Sequence, residues 1–316
     1  MSQSTSAVDF PQEKLTRRGL LGGIGMVVGL VGGSTVFRYA AYAQSMAAIE
    51  PIQPFRFVHL TDTQLGYLGD ANRSVLGSLQ LALKAIGALS PAPDFILVTG
   101  DLTQGTPSDR ERKNRLVFFQ QTLKAVKIPF YTVPGEHDAL MDRGKVYQTV
   151  MGDLRYGFLH KGVQFIGLDN VSQGFFLGKD QLAWFNGQIE KMDVTRPLIL
   201  FCHAPLYNVF APWNWYTFDG DILRAMLSRF RRVTVLYGHV HQIIAHTTQN
   251  IRHYAGLPTA WPLPEPGSLV ELKPWPQGAT HPYLGLGLRV VDVLASGDLK
   301  LTNLLLSEVS HVNALE

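Results

Sequence analysis

A single cysteine, Cys202, stands in 316 residues. No intrachain disulfide can form, so folding does not depend on a redox compartment, and no C-x-x-C pair exists for a zinc ribbon or thioredoxin-like site. Charge is also scarce, at 17% of residues, with 28 Lys+Arg against 25 Asp+Glu. Residues 1–43 hold Lys14, Arg17, Arg18 and Arg38 against Asp9 and Glu13, which leaves 24 basic and 23 acidic side chains in the remainder. A body so near neutrality offers no broad electrostatic surface, and no nucleic-acid partner is expected. Its one short basic group, Arg229, Arg231 and Arg232, falls at the end of an expected helix, where the dipole favours cations. No G-x-S-x-G elbow occurs. Cys202 also lacks the arginine six positions on that a cysteine-phosphatase loop needs, because Asn208 stands there.

What is present begins with 46% hydrophobic residues, enough for a full-sized core. The N-terminus reads as an address. After a polar stretch, Thr16-Arg17-Arg18-Gly19-Leu20-Leu21 opens a glycine-rich apolar run ending near Phe37. A twin arginine before a mildly hydrophobic segment resembles the signal of the twin-arginine (Tat) route, which exports folded proteins. Arg38 suits that route, and Ala41-Tyr42-Ala43 offers an A-x-A cleavage site. The resemblance implies a signal peptide over 1–43, a single mature domain over 44–316, passage through the Tat machinery, and a periplasmic or secreted location. The alternative is an uncleaved membrane anchor with Gly25, Gly29 and Gly33 on one face. The apolar run, about 17 residues, lies near the lower limit for spanning a bilayer.

The body alternates strands and helices. Strands are expected at 55–60, 94–99, 130–133, 163–168, 198–201 and 233–237, and helices at 74–89, 109–126, 179–192 and 221–231. Such repetition implies parallel pairing with functional groups at the carboxyl ends of strands. Residues 287–293 and 299–301 read as a β-hairpin around Ser296-Gly297-Asp298, and 256–285, rich in Pro and Gly, as a long surface loop.

Five clusters of metal-binding residue types each follow an apolar run. They are Asp62-Thr63-Gln64, Gly100-Asp101, Gly135-Glu136-His137-Asp138, Cys202-His203 and Gly238-His239-Val240-His241. They lie too far apart for one local loop, so only converging strand ends can gather them, and hard oxygen and imidazole donors together suit a two-metal hydrolytic centre. In this order they resemble the calcineurin-like metallophosphoesterases, whose pattern is D-x-H, G-D, G-N-H-[DE], H and G-H-x-H. The resemblance covers the body from about residue 55. It implies an α/β fold, a four-layer αββα sandwich of two mixed β-sheets flanked by helices. It also implies a phosphate mono- or diesterase acting by attack of a metal-bridging hydroxide on a small phosphate-ester substrate. One metal ion would take Asp62, Gln64, Asp101 and His241, and the second Asp101, Glu136, His203 and His239. His137 would hydrogen-bond the phosphate or protonate the leaving group, with Asp138 orienting its ring.

Two positions depart from the pattern. Gln64 replaces a histidine, and Glu136 replaces an asparagine. Both retain oxygen donors, but they shift the metal preference, with Fe, Mn or Zn as candidates. They also leave open a second reading, a non-catalytic metal- or ligand-binding protein on a degenerate site. His239 and His241 are expected to point the same way on an extended segment. His59, His160, His246, His253, His281 and His311 match no motif and read as ordinary surface or strand histidines. The aromatic stretch Tyr207, Phe210, Trp213, Trp215, Tyr216 and Phe218 reads as a loop packed on its own body, the alternative being a stacking surface over the metals.

Overall fold

The computed structural model describes residues 51–274 and 283–313. The twin-arginine segment, its A-x-A site and His281 lie outside the described residues. Among the described residues no helix is long and apolar enough to cross a membrane.

The chain runs β1 (Phe55–Leu60), α1 (Val75–Gly87), β2 (Phe95–Thr99), α2 (Asp109–Lys124), β3 (Phe130–Val133), α3 (Glu136–Ala139) and α4 (Lys145–Met151). It continues through β4 (Tyr156–His160), β5 (Val163–Gly167), α5 (Gly178–Ile189), β6 (Leu198–Phe201), α6 (Gly220–Met226) and β7 (Val233–Tyr237). It ends with β8 (Ala245–Thr248), β9 (Ile251–Ala255), β10 (Gly287–Val293), β11 (Leu299–Leu305) and α7 (Leu306–Asn313). One sheet has the order β11-β10-β1-β2-β3 and the other β4-β5-β6-β7-β9-β8. β1, β2 and β3 are parallel, as are β5, β6, β7 and β9, while the outer strands pair antiparallel. Both sheets are therefore mixed.

Strand alternation explains the layering. On β1, Phe57 faces the other sheet while Val58 and Leu60 face helices; on β2, Phe95 and Leu97 face inward while Ile96 and Val98 face out. Val163 and Phe165 on β5, with Ile199 and Phe201 on β6, close the layer between the sheets. Residues two apart share a face, so one strand feeds two cores. The middle layer is aromatic: Phe57 stacks on Phe95 (centroids 5.1 Å apart), Phe158 on Phe165 (4.7 Å) and Tyr131 on Phe158 (4.1 Å).

α1 buries Val75, Leu79, Ala82, Leu83 and Ile86 at helical spacing, and its N-cap Ser74 accepts from Gly77 N–H. α2 starts at Ser108, whose hydroxyl accepts from Glu111 N–H, and buries Leu116, Phe119 and Leu123. Both cover the outer face of the first sheet, while α5 and α6 cover the second through Phe185, Ile189 and Leu223. The expected sandwich of two mixed sheets flanked by helices is the fold observed.

Three short strands or strand pairs, β4, β8 and β9, carried too little apolar periodicity to be foreseen; β8 is mostly exposed. The expected surface loop at 256–285 is corrected in its first part. Leu257, Thr259, Ala260, Trp261 and Leu263 are buried, because this segment threads between the sheet ends. Thr259 N–H and Ala260 N–H donate to the carbonyls of Thr61 and Asp62, which satisfies polar groups that burial would otherwise penalise.

Phe165 touches Phe57 and Phe95 across the two sheets and stacks on Phe158 within its own sheet. Phe165→Ala is expected to cost about 3–5 kcal/mol in urea unfolding; a loss below about 1 kcal/mol would mean that the aromatic layer does not hold the sheets together.

Candidate metal centre

All five clusters emerge at carboxyl ends of strands. β1 delivers Asp62 and Gln64, β2 Asp101, β3 Glu136 to Asp138, β6 His203, and β7 His239 and His241. β1–β3 are parallel neighbours in one sheet and β6–β7 in the other, so their ends open along one edge. The backbone there leaves the strand abruptly. Asp62 (φ 51°), Gln64 (47°), Asp101 (49°), His239 (67°) and His241 (50°) all adopt the left-handed region, at a cost of order 1–3 kcal/mol each for such strained residues. Gly238–His241 is thus not extended, which corrects the expectation for its two histidines. Their rings reach different carboxylates: His239 Nδ1 lies 2.9 Å from Glu136 Oε1, and His241 Nε2 3.2 Å from Asp62 Oδ1.

Three motif glycines are required by crowding, among them Gly238, where a Cβ would stand 2.6 Å from Asp62 Oδ2. A Cβ on Gly100 (φ 88°) would stand 2.5 Å from His203 Nδ1, and one on Gly135 would collide with the Asp101 carboxylate. Strand ends approach this closely only where side chains are missing.

Three sets of side chains place ligand atoms within 4.8 Å of one another: Glu136, His203 and His239; Asp62, Asp101 and His203; and Asp101, Glu136 and His137. His241 joins through Asp62, and Gln64 through its amide nitrogen, which donates to Asp101 Oδ2 at 2.6 Å. All nine expected site residues except Asp138 therefore meet in one cluster.

The tautomers decide what the cluster can hold. His203 Nδ1 donates to the carbonyl of Thr99 (2.7 Å) and His241 Nδ1 to that of Trp261 (2.6 Å). Each Nε2 then presents a lone pair inward. His203 Nε2 lies 2.7 Å from Glu136 Oε2, yet both atoms are buried without a hydrogen-bond partner, as are Gln64 Oε1 and His239 Nε2. Distance without alignment is the arrangement of two donors aimed at a common third atom. Left alone, facing lone pairs repel, and a buried cation between them removes the penalty. The residues fit bound metal.

Charge shifts give the same picture. Burial pushes His203 down, but the carboxylates of Asp101 and Glu136 raise it well above 6.5. Burial pushes Glu136 up, but His239 and His203 hold it well below 4.5. Asp101 is raised by burial and by the charge of Glu136. Without metal, protons are the positive charge the cluster draws in.

Asp138 is corrected in role. Its carboxylate accepts from Leu102 N–H (2.9 Å), Thr103 N–H (3.0 Å), Thr103 Oγ1 (3.0 Å) and Gly135 N–H (3.0 Å), and so ties the β2 and β3 loops together. The ring of His137 is held instead by Gly105 N–H, which donates to Nδ1 at 3.2 Å. Burial and the Asp101 charge raise Asp138 to about 7.

Sequence reasoning missed the partners that are backbone carbonyls, Thr99 and Trp261, because any residue supplies one. It also missed Asn170 beyond β5, whose side chain accepts from His203 N–H (3.1 Å) and donates to Ala204 O and Thr217 Oγ1; a lone Asn carries no motif. Among the unmatched histidines, His59 pairs with Thr99 Oγ1, His160 with Asp94 and His253 with Thr248. Cys202 is buried with its thiol pushed up by burial, which leaves it protonated and unreactive.

These shifts have a sign. His203, His137 and His241 are raised above 6.5 in the fold, so their contribution is complete below 6.5 and lost as pH rises through the higher folded values. Asp138 adds the same slope up to about 7. His59 and His253, lowered to about 3 by burial, oppose it only below 6.5. Chelator-treated protein is expected to lose melting temperature as pH rises above 6.5, while Mn²⁺-loaded protein, whose cations compete with those protons, does not. A chelated protein that gains stability over this rise contradicts the assignment.

Comparison with known proteins agrees with the geometry. The family model for calcineurin-like phosphoesterases matches residues 55–243, more than half of the chain. A 3',5'-cyclic-nucleotide phosphodiesterase of Nostoc sp. is 28% identical over 218 residues, covering 65% of this chain and 78% of the relative. The serine/threonine-protein phosphatase CPPED1 of Rattus norvegicus is 27% identical over 229 residues, covering 63% and 73%. A dimetal phosphatase from Danio rerio shares the fold, with a TM-score of 0.56 at 14% identity over 76% of this chain and 92% of that one. The chain belongs to the calcineurin-like phosphoesterase family and is a metal-dependent phosphoric ester hydrolase.

Proposed function

We propose that this protein is an exported phosphoesterase with two cations, cleaving a small phosphate mono- or diester. Asp62, Gln64, Asp101 and His241 would hold one cation, and Asp101, Glu136, His203 and His239 the other. The observation that carries the reading is that Glu136, His203 and His239, and likewise Asp62, Asp101 and His203, bring ligand atoms within 4.8 Å of one another, with His203 Nε2 and Glu136 Oε2 only 2.7 Å apart yet buried and without hydrogen-bond partners. Divalent cations held there would supply positive charge against the phosphoryl oxygens and lower the pKa of bound water.

The remaining work falls to side chains. Gly105 N–H occupies the lone pair of His137 Nδ1, so the ring proton sits on Nε2, 3.9 Å from Asp101 Oδ2 and facing the centre. From there it donates to a phosphate oxygen or to the departing alkoxide. Asp138 acts at one remove, as a positioning residue for the β2 and β3 loops. Gln64 supplies a neutral oxygen where the family pattern has imidazole, and Glu136 adds a carboxylate; this oxygen-rich set suits Fe or Mn as well as Zn. The relatives named for diester and monoester cleavage support either ester class.

Asp101→Ala removes the shared ligand and is expected to lower kcat on a bis-aryl phosphate by on the order of 10³-fold, with metal content falling below two per chain. His137→Ala is expected to lose about 10²-fold or more in kcat with metal content unchanged. An Asp101→Ala protein with full activity removes the proposal.

Export rests on Arg17-Arg18 before the apolar run and on Ala41-Tyr42-Ala43. Fractionated cells are expected to yield a mature protein beginning at Gln44 outside the cytoplasm, and the Arg17→Lys/Arg18→Lys variant to stay inside uncleaved. A full-length product in the membrane fraction selects the anchor instead.

A further inference from the structure

Two loops at the carboxyl edge of the second sheet present aromatic rings that no core absorbs. The 207–218 stretch divides: Trp213 and Trp215 are buried as expected of a loop packed on its body, whereas Phe218 is 40% exposed. Phe218 is stacked face to face with Phe176 from the loop after β5, centroids 4.8 Å apart and planes 24° from parallel, and Phe176 is itself 44% exposed. Tyr216 meets the edge of Phe218 at 4.7 Å. Next along the chain, Phe175 lays its ring 5.2 Å from that of His239. Phe176 of the exposed pair thus lies one residue along the chain from a ring set against a cation ligand of the proposed centre.

These rings are built to stay in place. Phe175 adopts φ 66°, a conformation phenylalanine rarely takes. Phe218 N–H donates to its carbonyl (2.9 Å), and Asp219 accepts from Leu177 N–H (2.8 Å) and Gly178 N–H (2.9 Å), joining the two loops. Asp169 anchors the base of the first loop by accepting from Val171 N–H and Ser172 N–H. Asn170 links the same loop to Thr217 and to the backbone of His203. Exposed rings on a braced backbone lose little freedom when a ligand lands on them.

We propose that Phe175, Phe176 and Phe218 form a shelf that stacks an aromatic group, a nucleobase or an aryl ring, borne by the phosphate ester whose phosphate sits at the metal centre. The proposal rests on the phosphoesterase reading and adds the class of ester. An aromatic ring matches the face of the Phe176–Phe218 pair by offset stacking, and Phe175, whose ring lies 5.2 Å from that of His239, places Phe176 one residue from the site.

Calorimetry on Mn²⁺-loaded protein with adenosine 5'-monophosphate and with glycerol 3-phosphate tests this. Wild type is expected to bind the nucleotide about tenfold tighter, and Phe176→Ala/Phe218→Ala and Phe176→Leu/Phe218→Leu to lose that preference while binding glycerol 3-phosphate unchanged. Both side chains are exposed, and an unchanged melting temperature confirms folding of each variant. Equal binding of the two ligands by wild type, or a preference that survives in the alanine variant, overturns the shelf; a preference that survives in the leucine variant alone shows a merely apolar surface and overturns it as well. A protein that cleaves aryl phosphates yet binds the two ligands alike keeps the proposed hydrolysis and loses the shelf. One that prefers the nucleotide but cleaves nothing loses the hydrolysis and keeps the shelf.

Discussion

Asp101 stands where the edges of two sheets meet, and its carboxylate is the constraint to which the surrounding chain conforms. Oδ1 accepts from His137 N–H at 3.0 Å and lies 3.6 Å from His203 Nε2, while Oδ2 accepts from the Gln64 amide. Gly135 must lack a side chain because a Cβ there would occupy the carboxylate's space. Two buried acids, Asp62 and Asp101, and the half-buried Glu136 crowd together, and desolvated charge of one sign is tolerated only beside opposite charge. Cations, or protons in their absence, satisfy that demand. The centre is therefore a place the fold makes uncomfortable unless something positive is bound.

Such discomfort persists because the scaffold is stiff. Five site residues sit in left-handed backbone, and each such residue is held there by its surroundings, not by its own preference. The aromatic layer between the sheets and the apolar layers beneath the helices leave the strand ends little freedom. Backbone amides complete the restraint: His239 N–H donates to both Asp62 oxygens (3.2 and 3.1 Å), and Asp138 receives three N–H groups from two loops. Side chains that touch no substrate thus determine where the ligands point.

Elements with strong local signals were legible in advance. The apolar runs of β1, β2, β5, β6 and β7 and the amphipathic spacing of α1, α2 and α5 were foreseen to within a few residues, and so was the β10–β11 hairpin. Short edge strands such as β8, with four residues mostly exposed, have no such signal. The segment at 257–263 reads as loop because of its prolines, yet it is buried by its neighbours and lends the Trp261 carbonyl to His241. Burial of irregular backbone depends on what lies on either side, and periodicity does not report it.

The sequence by itself determined the kind of centre. Acidic and imidazole residues after five apolar runs can meet only at converging strand ends. The tertiary structure alone decided which atoms meet. It set the Nδ1 partners that turn each Nε2 inward, moved Asp138 from the ring of His137 to the loop backbones, and separated His239 from His241 by a left-handed turn. It also brought Phe176 against Phe218 from loops 42 residues apart. Residue type dictates what chemistry a side chain can do, whereas direction and neighbour arise from long-range packing, and packing is a property of the whole chain.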